Sequence, residues 1–303
     1  MNSEKIVLVR MIGGLGNQMY QYALAKKLSV LNNNAPILLD TTLFNDYFRP
    51  FELSRLNIKA SIADEDIILK LNTGILPLGL GKMIDLIPWI RVKDTIRNSF
   101  NDVYTEKGLN FHSEVLKAKT SVYIKGYWAS YKYFSDIREQ LLEDFTFTEP
   151  MNDENKRIAE RIVNAGNSVS LHVRRGDYLE SYNQTLYYSP FKDGFYERAV
   201  SEIEKKCEKL EFFLFSDEPD WVRENLKFKH KFTVVDINKG DNNYWDMKLM
   251  SLCKYNIIAN STFSWWGAWL NTNQSKIVFA PKAWMSDPTF KLEDTIPPDW
   301  IVL

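Results

Sequence analysis

The sequence is short of cysteine, of net charge and of long apolar runs, and each shortage excludes a class of protein. Two cysteines, Cys207 and Cys253, occur in 303 residues. Two thiols build neither a disulfide framework nor a metal-ligand set, and they read as buried free thiols of a reducing compartment. Lys and Arg number 38 against 39 Asp and Glu, for a net charge of -1 with no long run of one sign. The chain therefore lacks the field that draws nucleic acid or anionic lipid, and any anion must be held by local geometry. The most apolar long stretch, Gly74 to Ile90, is broken by Pro77, Lys82, Asp85 and Pro88, so it cannot span a bilayer. It reads as a domain-packing helix, with peripheral contact to a membrane surface as the alternative. The start, MNSEKIVLVRMIGG, has neither the apolar region nor the cleavage site of a signal peptide, which points to a cytoplasmic protein. Internal repeats and low-complexity tracts are also missing.

What is present suits two α/β domains, with 45% apolar residues available for two cores. The expected division is 1–150 and 151–303, the linker lying in Phe145 to Asp153 with its Thr146, Thr148, Pro150 and Asn152. Ile6 to Met11 reads as a strand, Gly13-Gly14-Leu15-Gly16 as a tight turn and Asn17 to Leu31 as a helix. Such a turn brings backbone close to a phosphate, which makes Gly14, Gly16 and Asn17 candidate contacts at the helix start. A second strand, Pro36 to Leu39, ends in Asp40, so the unit also imitates a dinucleotide fingerprint, although Met19 stands where its third glycine would be. Asp64-Glu65-Asp66 resembles a metal-holding acidic triplet but follows no strand; acids in a first helical turn are the better reading.

From Asn155 onward, helix and strand alternate with short loops, the pattern of a parallel, doubly wound sheet. The stretch SVSLHVRRGDYL, Ser168 to Leu179, runs a buried strand into two arginines, at the kind of strand end where open α/β sheets bind ligands. Period 2 puts His172 and Arg174 on one face and Val173 and Arg175 on the other, so Arg174 is the expected ligand contact and Arg175 a loop holder, with Asp177 as its expected tie. A second strand ends at Asp217, and a third is followed by Ser261, Thr262 and Ser264 at a helix start, a seat for phosphate beside Arg174. Asp246, near the start of its helix, is placed to accept from a base edge. Each also has a bland reading: Ser261 or Thr262 as N-cap, Asp246 as helix-dipole partner, Asp217 in a turn, Arg174 in a surface ion pair. Their convergence on one sheet edge favours a site. Phe263, Trp265, Trp266 and Trp269 are read as mostly core.

The stretches GGLGNQMYQYALA, LHVRRGDYL, FSDEPDW and NSTFSWWGAWLN resemble the motifs of the α-1,2-fucosyltransferases of glycosyltransferase family 11, in the family's order from Gly13 to Asn271. The resemblance implies a GT-B-like architecture, two Rossmann-like domains facing a central cleft, with the first on the acceptor side and the second binding GDP-fucose. It further implies a β-galactoside acceptor and no metal requirement. In related fucosyltransferase families the arginine matching Arg174 serves the donor diphosphate. The residues matching His172 and Asp246, the latter seven positions before Cys253, hold guanine.

Breaking the bond between fucose carbon 1 and GDP piles negative charge on the diphosphate, so fixed donors there accelerate the step. Arg174, amides near Asn17 and Ser261 to Ser264 are the expected donors. A carboxylate takes the proton of the attacking galactose 2-hydroxyl; Asp177 is the expected catalytic residue beside Arg174 unless it only braces the arginines, and Glu180 and Asp40 are further candidates. Two other functions stay open on the residues: an NAD-dependent oxidoreductase, from the glycine turn and Asp40, and a catalytically silent nucleotide- or glycan-binding protein.

Overall fold

The computed structural model describes residues 5–68, 102–119, 121–176, 186–187, 189–191, 193–226 and 229–303. The chain divides into two compact units, Met1–Thr148 and Glu149–Leu303. Gly74 to Ile90, with its peripheral-membrane reading, lies outside the described residues, as do Asp177 and Glu180. Among the described residues no helix is long and apolar enough to cross a membrane.

The first unit contains β1 (Val7–Arg10), α1 (Leu15–Leu31), β2 (Ile37–Asp40), β3 (Ser61–Ile62), β4 (Asp102–Thr105), β5 (Val122–Lys125) and α2 (Arg138–Asp144). All five strands are parallel, in the order β3-β2-β1-β5-β4. Buried residues surround α1 on nearly every side, as its apolar and aromatic content dictates. Two buried glutamines do the work of caps at its start. Gln21 exchanges hydrogen bonds with the Ile12 backbone at 3.0 Å, and Gln18 donates to Gly13 O while accepting from the Glu52 and Leu53 amides. The helix begins at Leu15 with Gly14 at its N-cap, so Gly16 sits inside the first turn of α1 and not in a loop before it. The acidic triplet also opens a helix, over 65–68, with the Ile67 and Ile68 amides bonded to Asp64 O.

The second unit alternates α3 (Asp153–Asn164), β6 (Ser168–Val173), α4 (Phe195–Glu204), β7 (Glu211–Ser216), α5 (Pro219–Asn225), β8 (Lys231–Val235), α6 (Tyr244–Leu252), β9 (Tyr255–Ile257), α7 (Thr262–Trp269), β10 (Ile277–Ala280), α8 (Leu292–Thr295) and β11 (Ile301–Val302). The sheet is again all parallel, in the order β11-β10-β9-β6-β7-β8. Period 2 is plain in β7: Phe212 and Leu214 join one core with Phe195, Ala199 and Ile203 of α4, while Phe213 and Phe215 join another with Ile162, Leu249 and Met250. The tryptophans of α7 are core as expected: Trp265 and Trp266 are fully buried, and the Trp265 indole donates to Thr295 O at 2.9 Å. The expected α/β class with parallel, helix-covered sheets is thus observed in both units.

One consequence of the strand order positions the candidate site. From β6 the chain proceeds through α4 to β7 on one side; from the adjacent β9 it proceeds through α7 to β10 on the other. The carboxyl ends of β6 and β9 therefore flank a topological switch point, where ligands of such sheets bind.

Candidate active site

At that edge β6 stops at Val173, which pairs with Ser216, the last residue of β7. The alternation used to separate the arginines therefore does not reach them. What divides them is their partners. Arg174 Nη1 lies 3.0 Å from Asp217 Oδ2, both side chains about one-fifth exposed (20% and 22%). Arg175 turns elsewhere: its Nε bonds Glu218 Oε2 at 2.9 Å and its guanidinium lies 3.7 Å from the Trp221 ring centroid. The Asp217 carboxylate also accepts the Arg175 amide at 3.1 Å and packs so close to Gly176 that a Cβ there would sit 2.5 Å from it. Asp217 is thus the hub of the arginine loop. Asp177, the other expected brace, is outside the described residues; Glu218 and Trp221 hold Arg175, and both stand in the FSDEPDW stretch, of which the strand end marks only Asp217.

His172 occupies the face of β6 that carries Ser170, alongside Phe213 and Phe215 of β7. Burial, with the positive charge of Arg174 second, drives its pKa down to about 3. It is therefore neutral at physiological pH. Its Nδ1 is buried without a hydrogen-bond partner among the described residues, and its ring lies 6.1 Å from that of Phe263 on α7. The same face of the sheet packs against α6 through Leu249 and Met250, and Asp246 lies in the first turn of that helix. Burial raises the Asp246 carboxyl to about 7, against the hydrogen bond it accepts from Asn238 Nδ2 at 2.7 Å; the nearby Asp236 charge adds to the rise. Asn238 is itself locked to Asn155 by reciprocal 2.8 Å bonds. Beside Asp246, the N-cap residue Asn243 makes no side-chain cap bond and leaves Oδ1 buried and unpartnered among the described residues. A polar residue at a helix start was the only sequence signal for it.

At the start of α7, Ser261 caps the Phe263 amide at 3.3 Å, and the buried Ser264 hydroxyl turns inward to the Ala259 and Ser261 carbonyls at 3.4 Å. Both hydroxyls serve the helix itself; Thr262, half-buried, is its first residue. Arg174, His172 and the α7 start thus come together at one strand edge, with Asp246 on the adjoining helix.

The first unit treats its glycine turn differently from expectation. The Leu15 amide donates to the buried Glu52 carboxylate at 3.1 Å, and Arg49 approaches Gly14 so closely that a Cβ there would lie 3.2 Å from its Nη1. Gly13, at φ +82°, takes Asn17 over its face, where a Cβ would meet the Asn17 Nδ2 at 2.4 Å. The Asn17 amide itself bonds Gly14 O at 2.9 Å. A diphosphate at this helix start would meet the Glu52 carboxylate beside the Leu15 amide, and the Asn17 amide is already bonded within the turn. Asp40 is likewise consumed. Fully buried, it accepts from Thr42 N at 3.1 Å, from the Thr42 hydroxyl at 2.6 Å and from the Tyr123 hydroxyl, with Arg10 Nε at 3.6 Å. Burial raises its pKa, yet those hydrogen bonds outweigh it and hold the carboxylate ionised. It cannot reach a ribose hydroxyl or an acceptor proton, which removes the basis of both the dinucleotide reading and the Asp40 base.

Against known proteins, the family model of Glycosyl transferase family 11 matches residues 6–303. The chain is 32% identical over 302 residues to an alpha-1,2-colitosyltransferase of Escherichia coli, covering 98% of each. It is also 32% identical to the O-antigen biosynthesis glycosyltransferase WbnK of Escherichia coli, covering 90% of this chain and 93% of that one. A galactoside alpha-(1,2)-fucosyltransferase 1 of Ateles belzebuth is 24% identical, covering 95% of this chain and 72% of that one. Among solved structures, the fucosyltransferase NodZ from Bradyrhizobium superposes with a TM-score of 0.46 at 14% identity, over 88% of this chain and 92% of that one. With a family match running from the first strand to the last residue, the chain belongs to glycosyl transferase family 11.

Proposed function

We propose that this glycosyltransferase moves L-fucose from GDP-fucose to the 2-hydroxyl of a β-galactoside, with inversion and without a metal ion. The observation that carries the reading is the meeting of Arg174 and the α7 start at the switch point of the second sheet, beside a neutral histidine whose Nδ1 has no partner among the described residues. The donor lies with its diphosphate between Arg174 and the positive end of α7. Its guanine is received by Asp246 and His172, the former accepting the ring N1–H and an exocyclic amino N–H, the latter using Nδ1, which has no partner among the described residues. As the bond from carbon 1 to the diphosphate breaks, charge grows where the guanidinium and the amides already point, and they stabilise the leaving group more than the bound donor. Asp217 holds the guanidinium and is a positioning residue. Attack by the galactose hydroxyl opposite the leaving GDP converts a β-linked donor into an α-linked product.

The near relative that is named an alpha-1,2-colitosyltransferase favours a second reading, in which the same site takes a colitosyl donor to form the same type of linkage. The metal-free part is tested by assaying transfer from GDP-fucose after dialysis against EDTA. Undiminished rates are expected, because cationic and amide donors replace the ion; abolition by EDTA with recovery on adding Mg²⁺ or Mn²⁺ overturns it.

A further inference from the structure

The other sheet carries a second constellation at its own ligand-bearing edge. In the first unit the strand order reverses between β1 and β5, and β4 lies beyond β5. Glu106 follows β4 directly and its amide bonds Lys125 O, the last residue of β5, at 2.8 Å. Its two carboxylate oxygens then reach across to the loop after β5. Oε2 accepts the Tyr127 amide at 2.6 Å and Oε1 the Trp128 amide at 2.8 Å. The approach is possible only over a glycine: a Cβ on Gly126, at φ +149°, would stand 2.3 Å from Glu106 Cβ. The amides so gripped hold Trp128 at φ +56°, the left-handed region that a bulky residue rarely enters. Backbone held in such a state by its surroundings is a feature of ligand sites.

Three properties of this corner go beyond bracing a loop. Tyr127 presents a large ring at 37% exposure, next to the carboxylate. Trp128 is 2% exposed, and its indole N–H is buried with no partner among the described residues. The Glu106 carboxylate, with one amide on each oxygen, keeps about half of its acceptor capacity for other donors. A ring face, an unused donor and a carboxylate with spare lone pairs suit a ligand that is apolar on one face and lined with hydroxyls on its edge. A pyranose has that form: its C–H face rests on an aromatic ring while hydroxyls donate to a carboxylate. The strand-edge position is the one at which sheets of this type present ligands.

We propose that Glu106, Tyr127 and Trp128 form the subsite that binds the acceptor sugar, Tyr127 as platform and Glu106 as hydroxyl acceptor. The identity of that sugar as a β-galactoside rests on the function proposed above; the subsite itself does not depend on the donor. Burial raises the Glu106 carboxyl to about 7, although the two amides and the charge of His112 lower it. Sequence reading passed over this residue because nothing local marks it: its partners lie 21 and 22 positions away.

The test is saturation-transfer NMR of lactose with the full chain in the presence of GDP, which needs no turnover. Transfer to the galactose protons is expected in the wild type and in Tyr127→Phe. It should fall about tenfold in Tyr127→Ala, an exposed position whose truncation does not threaten the fold. Glu106→Gln, which keeps an oxygen for one amide, is expected to lose transfer by a similar factor while GDP binding stays unchanged. Equal signals in all four proteins, or no signal in the wild type, overturn the subsite. Lactose binding by the wild type without fucose transfer from GDP-fucose would instead count against the proposed donor and leave the subsite standing.

Discussion

Arg174→Ala is expected to lower kcat/KM for GDP-fucose by about a thousandfold, the scale seen when a fixed donor to developing negative charge is removed. The structure adds a reason for the upper end of that range. Arg174 is paired with Asp217 at 3.0 Å, so its truncation leaves an uncompensated carboxylate facing the incoming diphosphate. Losing one partner of such a pair costs more than losing both. Arg174→Ala/Asp217→Ala should accordingly be more active than Arg174→Ala alone, a non-additivity read directly from kinetics. Arg174→Lys keeps the charge but not the planar fork and should fall between the wild type and alanine. Unfolding midpoints of all four are expected to lie close together, since both side chains sit at the rim of the sheet. Equal activity of the single and double variants would show that Asp217 does not act through Arg174.

GDP affinity is expected to weaken by about tenfold between pH 8 and pH 6 in the wild type beyond what Asp246→Asn shows, because a carboxyl titrating near 7 passes from mostly ionised to mostly protonated over that interval. The sign follows from the role. Accepting two N–H groups of a guanine edge needs the ionised form, so binding is retained above the pKa and lost below it. The diphosphate titrates in the same window, but equally for both proteins, and the comparison removes it. Asp246→Asn presents an amide where an acceptor is needed and should bind GDP about ten- to a hundredfold more weakly at pH 8. His172, already neutral with its pKa near 3, contributes no slope in this range. Isothermal titration at several pH values checks the prediction; parallel curves for the two proteins would remove Asp246 from the guanine site.

Much of the architecture was legible because burial writes itself into period 2 and period 3.6. Val169, Leu171 and Val173, or Phe212 to Phe215, could hardly be anything but covered strands. The elements that escaped are those without a core to declare. The two residues of β3 are exposed, and β4 joins its core cluster through the partly buried Val103. The alternation in LHVRR continues past Val173 in sequence, yet the strand does not, because its neighbour β7 ends opposite Val173; a register is set by the partner and cannot be read from one strand. Long-range polar pairings were equally invisible. Asp40 looked like a free acid at a strand end, and its Tyr123 partner lies 83 residues away. The glycine turn reads as a phosphate cradle, and the buried carboxylate against its helix start, Glu52, comes from 37 residues beyond Leu15. The arginine motif was legible as a site because charge at the end of a buried strand has few structural uses, and its position beside the α7 start follows from the adjacency of β6 and β9.

The most direct measurement of the central claim is NMR of the product formed by the purified protein from GDP-fucose and lactose. The account predicts one new α-anomeric fucose signal with a through-bond correlation from fucose carbon 1 to galactose position 2, and GDP released in equal amount. A β-anomer, a linkage to another position, or GDP release with no disaccharide bond formed would contradict it.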